Sequence, residues 1–517
     1  MGEIMVITTY AAIYIGAFDI ALDIFEITRK NGVRSLETLR KHLELGADTY
    51  DKGKITLEKV NELCEVLEDF VTIAQSYKVN STRAVAGSSL READNSLFIL
   101  GKIRQRTGLK VEILSNSEHR FFNVMGNAAK SADFEKLIQD STAILDVDGG
   151  SIQITLFDKG SLLSTVNIPM GSLRLRNMLQ PLMRDTDHYE RLVEEYIQHE
   201  MYSFRKIHLK GRKIKNVIMN GLFVNDKLFE KKIDPDTHMV KLKDFEALYE
   251  EMQKTPDHIL VKRIGVPDVF VSLMRPSMII HHTFVGMLEP EVLIPQGKNL
   301  SIGMAYDYAI SMKMMKGPHN FEKDIVSCAK HIAEQYSSEM KHLENVEMTA
   351  MKLFNAMRKI HGMGNREKLL LRITVMLHEV GKYLSLNNYG ECAYHIVKSN
   401  EIIGLSHAER HIIAFCVRYN VDNFPSYQEI AMFSNISKKQ YIMVGQIVAI
   451  LRLANAMDRS HHQKVIDVKT SMRDDQLIIS ANVDENYILE RGLIGKELEF
   501  FRDVFNVTPV LSIKRKL

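Results

Sequence analysis

The segment best equipped for chemistry is LDVDGGSIQITLF at 145–157, where two apolar, strand-like runs meet at Asp148-Gly149-Gly150-Ser151. Glycines between strands let backbone N–H groups close on an anion, because no Cβ blocks the approach. Asp146, at a strand end, is of the type that holds Mg²⁺ directly or through water. The same letters also make a tight β-hairpin, and the segment alone leaves both readings open. A second candidate is VAGSSLREADN at 85–95, which reads as a strand end, a small-residue turn and a helix start. From the residues alone its Arg91 reads as half of a helix-surface ion pair with Glu92 or Asp94. The basic run Arg205, Lys206, Lys210, Arg212, Lys213, Lys215 could guide a polyanion, although a solvated face explains it as well.

These residues need a scaffold. The runs 5–15 and 19–27 are β-rich and separated by Gly16-Ala17-Phe18, a hairpin-like signal. Residues 56–77 form an amphipathic helix, with Thr56 as N-cap and Val60, Leu63, Cys64, Leu67, Phe70, Val71 and Ala74 at helical spacing. KVEILS at 110–115 is a further strand, and AILDV–DGGS–IQITLF repeats the strand–glycine–strand unit. Two such units suggest two related lobes with a cleft between them, divided near 130 and ending near 312. MKMMKGPHN (312–320) reads as a linker, 320–462 as helical, and 463–517 as a small α/β end with two strand-like runs, a helix and a last strand.

At 517 residues the chain is too long for one core, and about three to four domains are expected. The 67 basic and 65 acidic side chains leave a formal charge of +2, so no global field draws the chain to nucleic acid or membrane. An anionic ligand must be held by local patches. None of the four cysteines forms a C-x-x-C pair, which argues against a disulfide framework or structural zinc and for a reducing cytoplasm. The N-terminus is apolar but carries Glu3, Asp19 and Asp23, so buried strands are expected there rather than a signal peptide.

The order VAGSSLREADN, TGLKVEILSNSEHRFFNVMG, DGGS, VNIPMGSLRLR resembles the exopolyphosphatase / guanosine-pentaphosphate phosphohydrolase (Ppx/GppA) family. LLLRITVMLHEVGKYLSLNNYGECAYHIVKSN (369–400) and AILRLANAMDRSH (449–461) extend the resemblance over almost the whole chain. It implies two actin-like (ribonuclease H-like) α/β lobes, 1–130 and 131–312, an all-helical HD-like domain at 320–462 and a small α/β domain at 463–517. It further implies a homodimer acting on polyphosphate or a guanosine polyphosphate, with Mg²⁺ as cofactor. Gly16, Arg91, Gly149, Gly150 and Ser151 would then hold phosphate, Asp146 and Asp148 the metal, and Glu118 or His119 would activate water.

Against that pattern several acids are changed. The opening Asp-x-Gly-Ser-Asn turn reads Tyr14-Ile15-Gly16-Ala17-Phe18, and in the second motif Asp146 is kept while the glycine two residues later is Asp148. A Thr-Glu pair is Ile152-Gln153, and the water-activating glutamate registers on His119 with Glu118 beside it. A carboxylate at 148 about 4 Å from a phosphate oxygen is repelled by ~4 kcal/mol at an effective dielectric near 20, unless a metal intervenes. Gln153 and Tyr14 cannot supply the charge that Mg²⁺ wants. The resulting expectation is a family member that binds phosphate-rich ligands with weak or no hydrolysis. The alternative is an active Mg²⁺-dependent exopolyphosphatase. In the helical domain, His342, His361, His378, Glu379 and His395 are the candidate metal ligands. Asn420 and Asn455 stand where an active HD domain has histidine and aspartate, so a structural role for His378 is expected there.

Overall fold

The computed structural model describes residues 7–180, 182, 189–224, 226–229, 232–265, 268–484 and 486–515. The chain divides into a unit of Met1–Asn320 and a unit of Phe321–Leu517. Among the described residues no helix is long and apolar enough to cross a membrane.

The first unit holds two sheets. One is ordered β3-β2-β1-β4-β5, with β1 (Thr8–Ile15), β2 (Asp19–Thr28), β3 (Gly32–His42), β4 (Ser81–Ala86) and β5 (Val111–Ile113). β1 pairs antiparallel with β2 and parallel with β4, so it is buried on both faces and its side chains divide strictly by parity. Ala11, Ile13 and Ile15 join the core beneath helices α1 (Leu45–Lys52) and α2 (Leu57–Ser76). Tyr10, Ala12 and Tyr14 point to the other face, where helix α3 (Asn116–Lys130) contributes Phe122. Parity therefore puts Tyr14 on the side of α3. The second sheet is ordered β10-β11-β9-β6-β7-β8, with β6 (Thr142–Val147), β7 (Ile152–Asp158), β8 (Ser161–Ile168), β9 (Asn216–Asn220), β10 (Val240–Lys241) and β11 (Val292–Pro295). Helix α4 (Ser172–Leu179) follows β8.

Helix α5 (Leu300–Ser311) falls inside the 131–312 span that the sequence assigns to the second lobe, yet it packs on the first. Leu300, Met304, Ala305 and Ala309 bury against Tyr10, Ala12 and Phe122. Two glycines allow the approach to α3: a Cβ on Gly126 would lie 2.2 Å from the Asn299 carbonyl oxygen, and one on Gly303 would lie 1.9 Å from that of Phe122. Gly303→Ala is therefore expected to destabilise the unit by about 1–3 kcal/mol or more through overpacking. Urea denaturation followed by circular dichroism measures this, and an unchanged midpoint would show that the helices can separate without loss.

The second unit is helical from Phe321, built around α6 (Met340–Ala356), α7 (Asn365–Leu377) and the long buried α8 (Lys438–Ala456). It ends in the sheet β12-β13-β14, with β12 (Val465–Arg473), β13 (Gln476–Val483) and β14 (Thr508–Arg515).

Candidate active site

The glycine turn after β6 is pinned by α4. The amides of Ser172, Leu173 and Arg174 donate to the carbonyls of Asp148 and Gly149 at 3.0–3.1 Å, so the loop satisfies the orphan donors of that helix start. With the carbonyls turned toward α4, the amides of Gly149, Gly150 and Ser151 donate to no backbone acceptor among the described residues. Gly150 has no room for a side chain: a Cβ there would meet the Tyr50 hydroxyl at 2.1 Å and Ser88 Oγ at 2.3 Å. Those two hydroxyls bond each other at 2.7 Å, and Ser89 Oγ donates to the Gly16 carbonyl at 3.0 Å. The first turn, the Ser88–Arg91 turn and the Asp148–Ser151 loop thus meet across the lobes.

The first turn closes that meeting point. Gly16 N–H donates to Asp19 O at 3.0 Å, tightening the hairpin, and Ala17 and Phe18 then insert into the hydrophobic core of the second lobe. Phe18 packs edge-on against Phe270 and His42, with ring centroids 5.3 and 4.5 Å away. A Cβ on Gly149 would come into ordinary van der Waals contact with Ala17 at 3.4 Å and Phe18 at 3.8 Å. On the other side, the Tyr14 hydroxyl fills the space over Gly87, where a Cβ would come within 2.6 Å of it.

From Tyr14 a buried polar chain runs through the site. Its hydroxyl donates to Asp148 Oδ2 at 3.0 Å and accepts from His119 Nε2 at 3.2 Å. That leaves the His119 Nδ1 lone pair facing the Asn123 amide at 3.4 Å, and Asn123 Nδ2 also donates to Asp146 Oδ2. His119 and Asn123 share one face of α3 at i, i+4 spacing, opposite the end of β6. Burial pushes the His119 imidazole down to about 4. It also pushes the Asp146 carboxyl up to about 7, with the charge of Asp148 adding to the rise. The Tyr14 hydroxyl is driven well above its ordinary value by burial and by Asp148.

These groups line a cavity of about 180 Å³ whose other walls include Asp23, Arg40 and Lys298. Both cations are engaged: Lys298 Nζ lies 2.8 Å and Arg40 Nη1 3.1 Å from the buried Asp19, whose carboxyl those two cations hold low against burial. Asp23 accepts from Thr38 Oγ1 at 2.7 Å.

Of the site residues expected from sequence, His119, Asp146 and Asp148 come together in this cavity, and Gly16, Gly149, Gly150 and Ser151 lie where the lobes meet. Arg91 follows Ser88 in the same short helix, but its guanidinium turns to the Leu114 carbonyl at 2.8 Å and to Asn116 Oδ1 at 2.5 Å. Arg174 donates to the Gly150 carbonyl at 3.1 Å, pairs with Glu92 at 2.6 Å and covers the Tyr50 ring at 3.9 Å. Glu118 is directed elsewhere. Its carboxylate accepts from the amide and hydroxyl of Ser115 at 2.9 and 2.7 Å, completing a capping box at the start of α3. Asn123, Arg40, Lys298 and Tyr50 escaped the sequence reading. Only Asn123 had a signal, its i+4 position from His119.

Two lobes built on mixed sheets, with glycine turns meeting between them and acids at the end of β6, make an actin-like scaffold. The sequence model of the Ppx/GppA phosphatase family matches residues 24–308, and that of Ppx/GppA phosphatase domain III matches 326–500. The chain belongs to this family. It is 20% identical over 484 residues to the guanosine-5'-triphosphate,3'-diphosphate pyrophosphatase of Photobacterium profundum, covering 91% of each chain. It is 24% identical over 164 residues to exopolyphosphatase 1 of Mycobacterium bovis, covering 31% of this chain and 46% of that one. The crystal structure of an exopolyphosphatase from Cytophaga hutchinsonii superposes with a TM-score of 0.50 at 16% identity, over 59% of this chain and 98% of that one, and shares the fold.

Proposed function

We propose that this protein binds phosphate-rich anions, polyphosphate or a guanosine polyphosphate, with weak or no hydrolysis. The substrate class comes from its relatives, named for a guanosine polyphosphate and for polyphosphate. The amides of Gly149, Gly150 and Ser151, which meet no backbone acceptor among the described residues, support anion binding on the second lobe. The observation that carries the loss of hydrolysis is the filled space between the glycine turns. Ala17 and Phe18 are buried in the second core, and the Tyr14 and Tyr50 hydroxyls occupy the room above Gly87 and Gly150.

The residues at hand also make a poor base. His119 gives its Nε2 proton to Tyr14 and faces Asn123 with its remaining lone pair, and burial disfavours the imidazolium that base catalysis would form. Glu118 is held by Ser115. Asp146 and Asp148 do fit a Mg²⁺ ion: both are partly buried at the end of β6, and burial first, then the charge of Asp148, raises Asp146 toward 7. Bound there, Mg²⁺ would neutralise charge on the phosphate chain. That pair is what favours the second reading, an active Mg²⁺-dependent exopolyphosphatase. The test sets phosphate release from polyphosphate and from guanosine pentaphosphate, with Mg²⁺, beside calorimetric binding of both. Binding with release below about 10⁻² s⁻¹, against 1 s⁻¹ or more for ordinary enzymes, is the expected result. Release at ordinary rates would establish the second reading.

Asp148→Gly is expected to tighten phosphate or short polyphosphate binding about tenfold or more at low salt without Mg²⁺, because it removes a like charge beside the amides. Unchanged or weaker binding in the same titration would mean that Asp148 holds a cation that the ligand needs.

A further inference from the structure

The second unit carries a groove of about 530 Å³ between the helices Tyr389–Ser399 and His407–Arg418 and the loop that follows the short helix Tyr427–Ala431. Tyr394 on the first helix, and Ile412 and Phe415 at i, i+3 spacing on the second, form its buried floor. The Tyr394 and Phe415 rings are tilted, with centroids 5.5 Å apart. Buried Ile430 and Ile436 anchor the loop at both ends, and Ser434 Oγ donates to the Ile430 carbonyl at 2.7 Å. Between those anchors Phe433 stands 58% exposed at the mouth, its centroid 6.5 Å from that of Phe415. A half-exposed ring on an anchored loop, beside two buried rings, offers a flat apolar face to a planar ligand.

The charges around these rings are of one sign. Lys398, His407 and His411 line the groove, and among the described residues none that lines it is acidic. Lys398 Nζ sits 5.5 Å from the Tyr394 ring centroid. Arg410 stands behind them. Its Nη2 donates to His407 Nδ1 at 2.9 Å and its Nη1 to the Asn400 carbonyl at 3.4 Å, while its buried Nε has no hydrogen-bond partner. The carboxylates of the same helices are engaged elsewhere: Glu409 with Arg366 and the Ser406 amide, Glu391 with Arg418 and His395. Glu401 is the acid whose charge reaches Arg410. Burial, and then the charges of Lys398 and Arg410, hold the His411 imidazole below its ordinary value. A cation taken from water without a full set of partners is costly, and an anion in the groove offsets that cost.

We propose that this groove binds a nucleoside phosphate, with its base against Phe433 and its phosphate toward Lys398 and His411. The rings call for a planar group and the cluster of cations for more than one negative charge. The side-chain amides of Asn435 and Gln440, which also line the groove, can donate to the edge of a base. The volume falls within the ~300–1,000 Å³ of small-molecule sites, a size that suits one planar ligand better than the face of a partner helix. The inference does not depend on how the first unit handles phosphate.

The test uses the full chain with adenosine 5′-monophosphate as the probe. Calorimetry is expected to give a Kd of about 100 µM or tighter. Hydrogen exchange read by mass spectrometry is expected to slow within 389–418 and 427–440, which separates this groove from the glycine turns of the first unit. Adenosine and inorganic phosphate should each bind at least ~10-fold more weakly, since each supplies one half of the recognition. Lys398→Glu and Phe433→Ala, both at exposed side chains whose replacement the fold tolerates, should each weaken the nucleotide by about tenfold or more. Lys359→Glu, at an exposed lysine outside the groove, should leave binding unchanged. The assignment fails if exchange in 389–440 does not respond to the nucleotide up to about 1 mM. It fails equally if inorganic phosphate binds as tightly as the nucleotide, or if Lys398→Glu and Phe433→Ala both bind like the unaltered chain. An acidic peptide that protects the groove where the nucleotide does not would overturn it in favour of a protein partner.

Discussion

A chain carrying Tyr14→Asp, Ala17→Ser, Phe18→Asn, His119→Glu, Asp148→Gly and Gln153→Glu together is expected to release phosphate from polyphosphate at least ~10²-fold faster than the unaltered protein, with Mg²⁺ present. Water attack on a terminal phosphoryl group needs room between the glycine turns, a base beside it and acids for the metal. The unaltered chain has Phe18 in the core of the second lobe and the Tyr14 hydroxyl over Gly87. Its His119 is a neutral donor to Tyr14. The six changes open the turn, remove the donor–acceptor chain that Tyr14 organises and place a carboxylate on α3 one turn before Asn123. Each change alone should do little, because groups that act as one catalytic unit are strongly non-additive. Replacing a buried phenylalanine costs about 3–5 kcal/mol, so a thermal melt must accompany the assay and show a folded chain. A folded six-fold variant with no gain over the unaltered chain would sink the idea. So would an unaltered chain that works at ~1 s⁻¹ and loses this in Glu118→Gln, since Glu118 would then be the base.

How much of this was legible beforehand depended on which physical term set each element. β1, β2 and α2 follow from hydrophobic patterning, and the structure places them at Thr8–Ile15, Asp19–Thr28 and Leu57–Ser76. β3 did not announce itself. It is an edge strand whose GVRSLETLRKH mixes charges with scattered apolar residues, so no clean period survives, and with it went Arg40. The return of α5 to the first lobe rests on Gly126 and Gly303, whose pairing is a tertiary fact that no local window contains. At the site, the changed residues Tyr14, Ala17, Phe18 and His119 could be named from sequence, but not what the replacements do. Sequence gives the missing charge. Only packing shows that Ala17 and Phe18 enter the neighbouring core. The Ser115-x-x-Glu118 spacing carried a capping-box signal that the reading of Glu118 as a base passed over.

Asp146→Asn is expected to stabilise the first unit at pH 8, by an amount that shrinks to less than about half at pH 5. Asp146 is an acid whose folded-state value is raised from 3.8 to about 7, chiefly by burial and next by Asp148. Between those two values the folded state holds a proton that the unfolded state has lost, so the contribution to stability falls as pH rises from about 4 to about 7 and is flat above. The full cost at pH 8 is on the order of 4 kcal/mol as an upper bound. Asparagine keeps an acceptor for the Asn123 amide and carries no charge, so it removes that cost. His119 runs the other way. Its folded value, pushed from 6.5 down to about 4, makes stability fall as pH drops through that window. The same imidazole is present in both chains, so the difference between them isolates Asp146. Hydrogen exchange of the β6 amides under chelator, at pH 5 and pH 8, measures the difference within the unit concerned. Added Mg²⁺ should slow exchange in the unaltered protein at pH 8 and do less in Asp146→Asn, because the ion compensates the same repulsion. Equal protection of the two chains at pH 8 would mean that Asp146 is ionised there at no cost. Its neighbourhood would then already be neutralised by groups other than a metal, and the case for a Mg²⁺ site at Asp146 and Asp148 would fall with it.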